Sequence, residues 1–346
     1  MLQRTAYWLS QNARVGWFLA QYLAGRRIGG AGSPTLTPPP RAQSASPGIP
    51  DLLADLRALL ARDLKNIEAG YYALPHDLIR DPRALVQSAW RYFADLPSVV
   101  ARRNDNAFDE VVRARPDGLA AFPEYYRRNF HYQTDGYLSD HSAKIYDHQV
   151  EVLFMGSADA MRRQALVPLA MFLRDRRIAD TRLLDMACGT GRFLTFVKDN
   201  YPRLSVVALD LSPNYLAEAR AQLKQWPDVG FIQGLAETLA FADASFDVVT
   251  SIYLLHEVPD DIRRRALAEV ARVLRSGGRL ILVDSLQLGD RPYFDVMVKS
   301  FPRSFHEPYY AAYARTDFAA LGASVGLQYR SSELAFLSKV ITLDKA

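Results

Sequence analysis

The sequence predicts an α/β fold built on a parallel sheet and preceded by a helical extension. Three observations carry this. From about residue 160, short apolar runs alternate with helical stretches, the pattern of strands joined by crossover helices. At 183–191 a strand-like run ends in an acid and passes into a turn of small residues. Residues 5–24 and 51–104 carry helical periodicity instead, separated by a Gly/Pro-rich tract.

The chain has 346 residues, 49% hydrophobic, 23% charged and 11% aromatic. That is enough to bury a full core in one large or two moderate domains, and it excludes disorder for most of the length. A single cysteine, Cys188, excludes a disulfide framework and a cysteine-based zinc site, and it points to a reducing, cytoplasmic compartment. No run of about 18 apolar residues offers a membrane-spanning helix. Residues 1–50 hold five arginines and no acid, so the rest of the chain carries 37 basic against 38 acidic residues. A nucleic-acid partner is therefore not expected, because the basic charge sits on the arm and not on the folded body.

Residues 5–24 read as a helix with Trp8, Val15, Leu19 and Leu23 on one broad apolar side. Its flanking arginines and polar-tipped rings suit a membrane interface, at the peripheral face of the membrane. Packing against the body and a targeting peptide fit the same composition. Residues 29–50, with Pro38, Pro39 and Pro40, read as an extended linker. Residues 51–140 form a helical and then aromatic-rich extension or lid; its rings, from Phe108 to Tyr137, serve either as ordinary core or as the wall of an apolar substrate chamber. The α/β domain is expected over 141–346. Strands are expected at 182–187, 205–210, 229–233, 246–252 and 279–284, with helices at 191–201, 213–225 and 260–275. Two final strands are expected at about 324–331 and 335–343.

The stretch Leu183 to Gly191 carries the chemistry. Small residues at the carboxyl end of a strand let the backbone approach a ligand, where open α/β sheets bind theirs. Asp210 ends the next strand 19 residues after Gly191, a spacing that places a carboxylate against ribose hydroxyls. A dinucleotide fingerprint is not met, since position 194 is leucine and 185 is an acid. A P-loop is absent too. The acid in the turn favours a cationic, amino-bearing ligand.

Residues 181–284 resemble the class I S-adenosylmethionine-dependent methyltransferases, and most closely the ubiquinone/menaquinone C-methyltransferase-like group. The resemblance rests on LLDMACGTG, ALDLSPNYLAEA, GLAETLAFADASFDVV, SIYLLHEVPD and RVLRSGGRLILVD, in that order. It implies a Rossmann-like, seven-stranded sheet, mostly parallel with an antiparallel C-terminal strand, and S-adenosyl-L-methionine as cofactor. By that resemblance Asp185, Ala187, Gly189 and Gly191 line the methionine and ribose portion, and Asp210 takes the ribose hydroxyls. Leu211 lies against adenine, Ala236 and Glu237 border it, and Tyr253 stands near the sulfonium. An upstream echo, SAKIYDHQVEVLFMGSADAMRR, places Tyr146 and Asp147 on a helix folded over the cofactor; plain helix packing is the competing reading. The family's usual acid that accepts from the adenine amino group is replaced here by Leu235, and Ala187 replaces the first glycine.

Methyl transfer from a sulfonium is an in-line displacement, so alignment matters most and a base only where the acceptor bears a proton. His256 and Glu257, after the fourth strand, are placed to serve; a packing role fits His256 equally. His306, Glu307, Tyr309 and Tyr310, in the insertion after the fifth strand, stand where the acceptor pocket is expected, or bond locally within a loop. No metal site is expected, because His306-Glu307 lacks a second helical histidine and no carboxylate cluster stands out. The aromatic stretch and residues 292–305 favour a hydrophobic acceptor such as a lipid or an isoprenoid quinone precursor. A soluble metabolite acceptor and a non-catalytic cofactor sensor are the alternatives. A nucleic-acid methyltransferase would want an Asn/Asp-Pro-Pro-Tyr/Phe loop where the chain has Ser251-Ile252-Tyr253-Leu254.

Overall fold

A computed structural model of the chain describes residues 2–28, 48–78, 81–114 and 122–346. Helix α1 (Leu2–Ile28) packs on the body through Tyr7, Gln11, Phe18, Gln21, Tyr22 and Gly25. At 100° per residue this buried stripe lies about a quarter turn from the apolar side expected from the sequence. The reason is that α1 docks by polar partners. Tyr7 Oη donates to Asp63 at 2.7 Å, Arg14 bonds Asp159 at 2.6 Å, and Gln21 Oε1 pairs with His148 Nε2 at 2.8 Å. No helix among the described residues is long and apolar enough to cross a membrane. The expected linker lies outside the described residues up to position 47, and its last two residues already belong to α2 (Ile49–Glu68).

Helix α2 buries Leu52, Leu56, Leu59, Leu60, Asp63 and Leu64, a stripe at helical spacing. Helix α3 (Pro82–Asn104) starts at a capping Asp81 followed by proline, and α4 (Glu110–Ala114) is a single turn. After two short 3-10 turns come α5 (Asp140–Leu153), capped by Ser139, then α6 (Ala158–Arg163) and α7 (Leu166–Leu173).

The second half is β1 (Arg182–Met186), α8 (Arg192–Asn200), β2 (Ser205–Asp210), α9 (Pro213–Gln222), β3 (Val229–Gln233), β4 (Phe246–Ile252), α10 (Asp260–Val273) and β5 (Leu274–Ser285). It ends with α11 (Asp295–Phe305), α12 (Tyr310–Tyr313), α13 (Phe318–Ala323), β6 (Leu327–Ala335) and β7 (Ser338–Lys345). One seven-stranded sheet results, in the order β3-β2-β1-β4-β5-β7-β6, with only β7 running against its neighbours. Each expected strand is present, with two shifts. Strand β5 starts five residues early, at Leu274, through an irregular pairing with β4 between Phe246 and Val248. The last two strands begin about three residues late, because α13 and a left-handed Gly326 (φ 86°) hold the chain until Leu327.

Two apolar clusters cover the sheet faces, one with α7 and α8, the other with α10 and α13. A third joins the extension to the sheet's far end, packing Phe18, Leu56, Leu60, Met161, Phe294 and Phe336 together. Buried ion pairs cement the same seam. Asp63 holds Arg163 at 2.6 Å, while Asp159 gathers Arg14, Arg162 and Arg192. The strand order reverses between β1 and β4, and the crevice above that switch point is where ligands of open α/β sheets bind.

Candidate active site

The loop after β1 is shaped by backbone. Ala187, Gly189 and Gly191 all have positive φ (61°, 55° and 76°), which turns the chain sharply before α8. A Cβ on Gly191 would lie 2.9 Å from Leu223 and 3.1 Å from the Ala219 Cβ, so glycine lets α8 and α9 meet there. A Cβ on Gly189 would meet nothing within 4 Å, and Gly189 lines the chamber above the switch point.

That chamber encloses about 1000 Å³ of empty space, counted to its solvent mouth. Asp185, Ala187, Gly189, Asp210, Leu211, Ala236, Tyr253 and Tyr146 line it, as does Glu257. Gly191 and Glu237 do not line it, though their chain neighbours Thr190, Arg192 and Ala236 do. Asp210 Oδ2 accepts from the Gly189 N–H and Oδ1 from the Ser212 N–H, each at 2.8 Å. Those bonds tie the β1 and β2 loops together and fix the carboxylate's plane. Burial pushes Asp210 up to about 6, against the lowering effect of these N–H bonds. Burial likewise pushes Asp185 up to about 7, although Thr250 Oγ1 donates to it at 2.6 Å. Glu237 is engaged by Tyr125, whose hydroxyl donates to Oε1 at 2.7 Å; the second oxygen is buried without a hydrogen bond. Asp147 accepts from Thr190 Oγ1 at 2.9 Å, which fastens α5 to the loop.

The aromatic stretch covers this chamber. Tyr125, Tyr126, Phe130 and Tyr137 form its lid, so the rings close the switch-point cavity and do not wall the neighbouring apolar one. Among the extension's described residues before α5, only His131 reaches that second chamber.

The second chamber, about 810 Å³ on the same measure, adjoins the first across Tyr146, Tyr253 and Glu257. Its walls are apolar: Val150, Leu153, Phe294, Met297, Val298 and Phe301 are representative. Its polar groups come from His131, His256, Glu257, three serines (Ser285, Ser300 and Ser304) and three tyrosines (Tyr146, Tyr253 and Tyr310). His256 lines it, with Nδ1 held 2.5 Å from Asp284 Oδ1. Burial opposes charge on that ring, but the Asp284 carboxylate outweighs it and holds the imidazole above its usual range. Glu257 Oε1 accepts from the Tyr137 hydroxyl at 2.7 Å. A third, largely apolar chamber continues from the second across His131, Tyr146, Val150, Leu153 and Phe305, and runs to Tyr22, Gly25 and Arg26 of α1.

The insertion residues divide. Tyr310 lines the second chamber and bonds Ser285 Oγ at 2.5 Å. His306 lies elsewhere: it ends α11 in a left-handed turn and stacks on Phe108 at 4.3 Å, with burial lowering its pKa to about 4. Tyr309 packs at the edge of a tyrosine cluster and lines neither chamber. Glu307 is fully buried behind His131, 3.1 Å from its Nε2. Asp284 and His131 have no role expected from the sequence, and Tyr125 and Tyr137 are expected only as members of the aromatic stretch. Asp284 sits at the carboxyl end of a strand, as Asp185 and Asp210 do, and the same rule finds it. His131 carries no local signal.

A sheet with one reversed strand and an acid-flanked, small-residue loop at its switch point define a Rossmann-like methyltransferase fold. The family model for a methyltransferase domain matches residues 183–278. A demethylmenaquinone methyltransferase of Lactiplantibacillus plantarum is 30% identical over 184 residues, covering 50% of this chain and 74% of the relative. That of Thermotoga maritima is 35% identical over 149 residues, covering 43% and 60%. The chain spans about half the length of the first curated relatives it matches, between 41% and 61%. Among solved structures, the mitomycin 7-O-methyltransferase shares the fold with a TM-score of 0.50 at 17% identity, over 78% of this chain and 74% of that one. The chain belongs to the class I S-adenosylmethionine-dependent methyltransferases, in the quinone C-methyltransferase-like group.

Proposed function

We propose that this protein binds S-adenosylmethionine above the switch point and transfers its methyl group to a hydrophobic acceptor in the adjoining chamber. The observation that carries the reading is the junction: Tyr146, Tyr253 and Glu257 belong to both cavities, and the surface of the second cavity is mostly apolar. When bound, the cofactor supplies an electrophilic methyl on a positively charged sulfur.

The fit to that cofactor rests on the cradle. Gly189 leaves the space a Cβ would take, and Asp210, planar and fixed by two N–H groups, keeps lone pairs for two ribose hydroxyls. Asp185 and Asp210 bring negative charge toward a cationic ligand, which in turn favours their ionised forms. Leu211 and Ala236 offer apolar surface on the side where an adenine would lie. Glu257, oriented by Tyr137, sets a carboxylate at the boundary between donor and acceptor.

On the acceptor side the residues align and hold protons. His256, pinned through Nδ1 by Asp284, leaves Nε2 as the ring atom that meets an acceptor hydroxyl. Phe294, Met297, Val298 and Phe301 exclude water from a flat ring. The continuation toward α1 gives an extended apolar substituent somewhere to lie. The relatives are named for demethylmenaquinone, and a reduced naphthoquinone with an isoprenoid tail meets each of these demands. It is the first acceptor to test.

The experiment incubates purified protein with methyl-labelled S-adenosylmethionine and a lysate, then partitions the label among organic, aqueous and nucleic-acid fractions. Label in the organic phase is expected. Aqueous label would replace the acceptor class while keeping the transferase. Cofactor binding with no label under any acceptor would leave a sensor.

A further inference from the structure

Three elements distant in sequence converge behind the acceptor chamber: the turn carrying His131, the loop after β4, and the turn after α11. His131 Nε2 lies 3.1 Å from Glu307 Oε1 and 3.7 Å from Glu257 Oε1. One ligand atom from each of the three falls within 4.8 Å of the others. Glu307 is the informative member. Its side chain is 0% exposed, and neither carboxylate oxygen accepts a hydrogen bond. A carboxylate removed from water demands hydrogen bonds or a cation. Its acidic neighbours, Glu257 and Asp284, add negative charge instead of relieving it. His256 is taken by Asp284.

We propose that His131, Glu257 and Glu307 bind one divalent transition-metal ion, of the zinc and manganese(II) class, at the wall of the acceptor chamber. One imidazole and two carboxylates suit such ions, and the two negative charges match a dication. Ligands about 2.1 Å from a common tetrahedral centre stand about 3.4 Å apart, close to the two separations measured from Nε2. Tyr137, donating to Glu257 at 2.7 Å, orients one carboxylate as a supporting partner does in a metal site. His131 is held at φ 55°, a left-handed conformation that a histidine adopts at local cost, and it turns the ring toward the acids.

Three protein ligands leave coordination positions open. His131 and Glu257 both line the acceptor chamber, so those positions face it. A metal there would take an oxygen of the acceptor and make a ring hydroxyl more acidic; this last step rests on the transferase reading, whereas the metal site does not.

The test uses the untagged full chain. Apoprotein incubated with one equivalent of Zn2+ or Mn2+, then desalted, is assayed for retained metal by mass spectrometry, and the affinity is measured by titration calorimetry. About one ion per chain is expected with the wild type, and at least a tenfold weaker affinity with Glu307→Gln and with His131→Ala. Binding of S-adenosylhomocysteine and the circular dichroism spectrum, measured on the same variants, show that the fold and cofactor chamber persist. No retained metal with either ion would overturn the proposal, and so would binding that both substitutions leave unchanged. Because the readout is metal content, methyl transfer can fail without touching this result, and the reverse also holds.

Discussion

Asp210→Asn separates two duties of one carboxylate. In the folded chain its two oxygens accept from the Gly189 and Ser212 N–H groups, both at 2.8 Å. An asparagine has one acceptor oxygen, so one of those N–H groups faces an amide NH2. That loss falls on free and bound protein alike and costs about 1–3 kcal/mol of stability. The second duty exists only with ligand present: a charged acceptor for ribose hydroxyls, worth about 1.5–3 kcal/mol. At 1.4 kcal/mol per factor of ten, the dissociation constant should rise about 10- to 150-fold. Titration calorimetry with S-adenosylmethionine and S-adenosylhomocysteine reads the second effect, and thermal unfolding without ligand reads the first. Asp243→Asn, at an exposed carboxylate paired with Arg272, is the control and should change neither beyond error. A dissociation constant within twofold of wild type for Asp210→Asn, with a lowered Tm, would refute the ribose assignment while leaving the loop argument standing.

The remaining predictions test other parts of the argument. Asp185 and Asp210 ionise at higher pH when folded, about 7 and about 6, than the usual carboxylate near 4. The folded state therefore binds extra protons across that window, so these two groups lower the stability of ligand-free protein as pH rises from about 4 to 7. Affinity for the cationic cofactor should run the other way, falling about tenfold or more per pH unit below 6; a flat calorimetric profile from pH 8 to 5 would contradict it. Gly191→Ala places a methyl 2.9 Å from Leu223 at φ 76°, so cofactor affinity should fall at least tenfold, with Gly189→Ala acting instead by filling the chamber. Leu153→Trp, at the junction of the second and third chambers, should abolish turnover of a long-tailed acceptor and spare a tail-less analogue, as kcat/KM on the two substrates will show. Asp63→Asn strips the charge that holds Arg163, Tyr7 and Tyr72 in a fully buried site. A cost of about 3–5 kcal/mol should lower Tm on the order of 10 °C, and a Tm within 2 °C of wild type would refute that estimate.

The cofactor half of the molecule was legible because backbone chemistry writes itself into residue type. A left-handed turn against a helix selects glycine at 191, and strand ends that face a ligand carry Asp185 and Asp210, all within reach of one another in sequence. The α1 helix was legible as a helix and misread as a face. Apolar residues alone put its buried side a quarter turn away, because Tyr7, Arg14 and Gln21 dock by hydrogen bonds to Asp63, Asp159 and His148, partners that no local window contains. His306 lies away from both chambers for a related reason. Its neighbour Glu307 turns inward at the end of α11, and the left-handed turn at His306 sends that ring the other way, onto Phe108.

The acceptor side shows why a catalytic fold can be read where its substrate cannot. Small-residue loops around the switch point meet a cofactor through main chain, so a short motif suffices. The second chamber is assembled from side chains of α5, the β4 loop, α11 and the β6–β7 turn, with His131 added from the extension. The third draws on α1 and α3, elements outside the matched methyltransferase domain. On the proposed reading, acceptor specificity in this chain depends on how the extension is held. The ion pairs of Asp159 with Arg14 and Arg192 join α1 to the first residue of α8, one position after Gly191. The helix whose Tyr22, Gly25 and Arg26 line the third chamber is thus tied to the loop after β1, so the geometry of one chamber constrains the walls of the other.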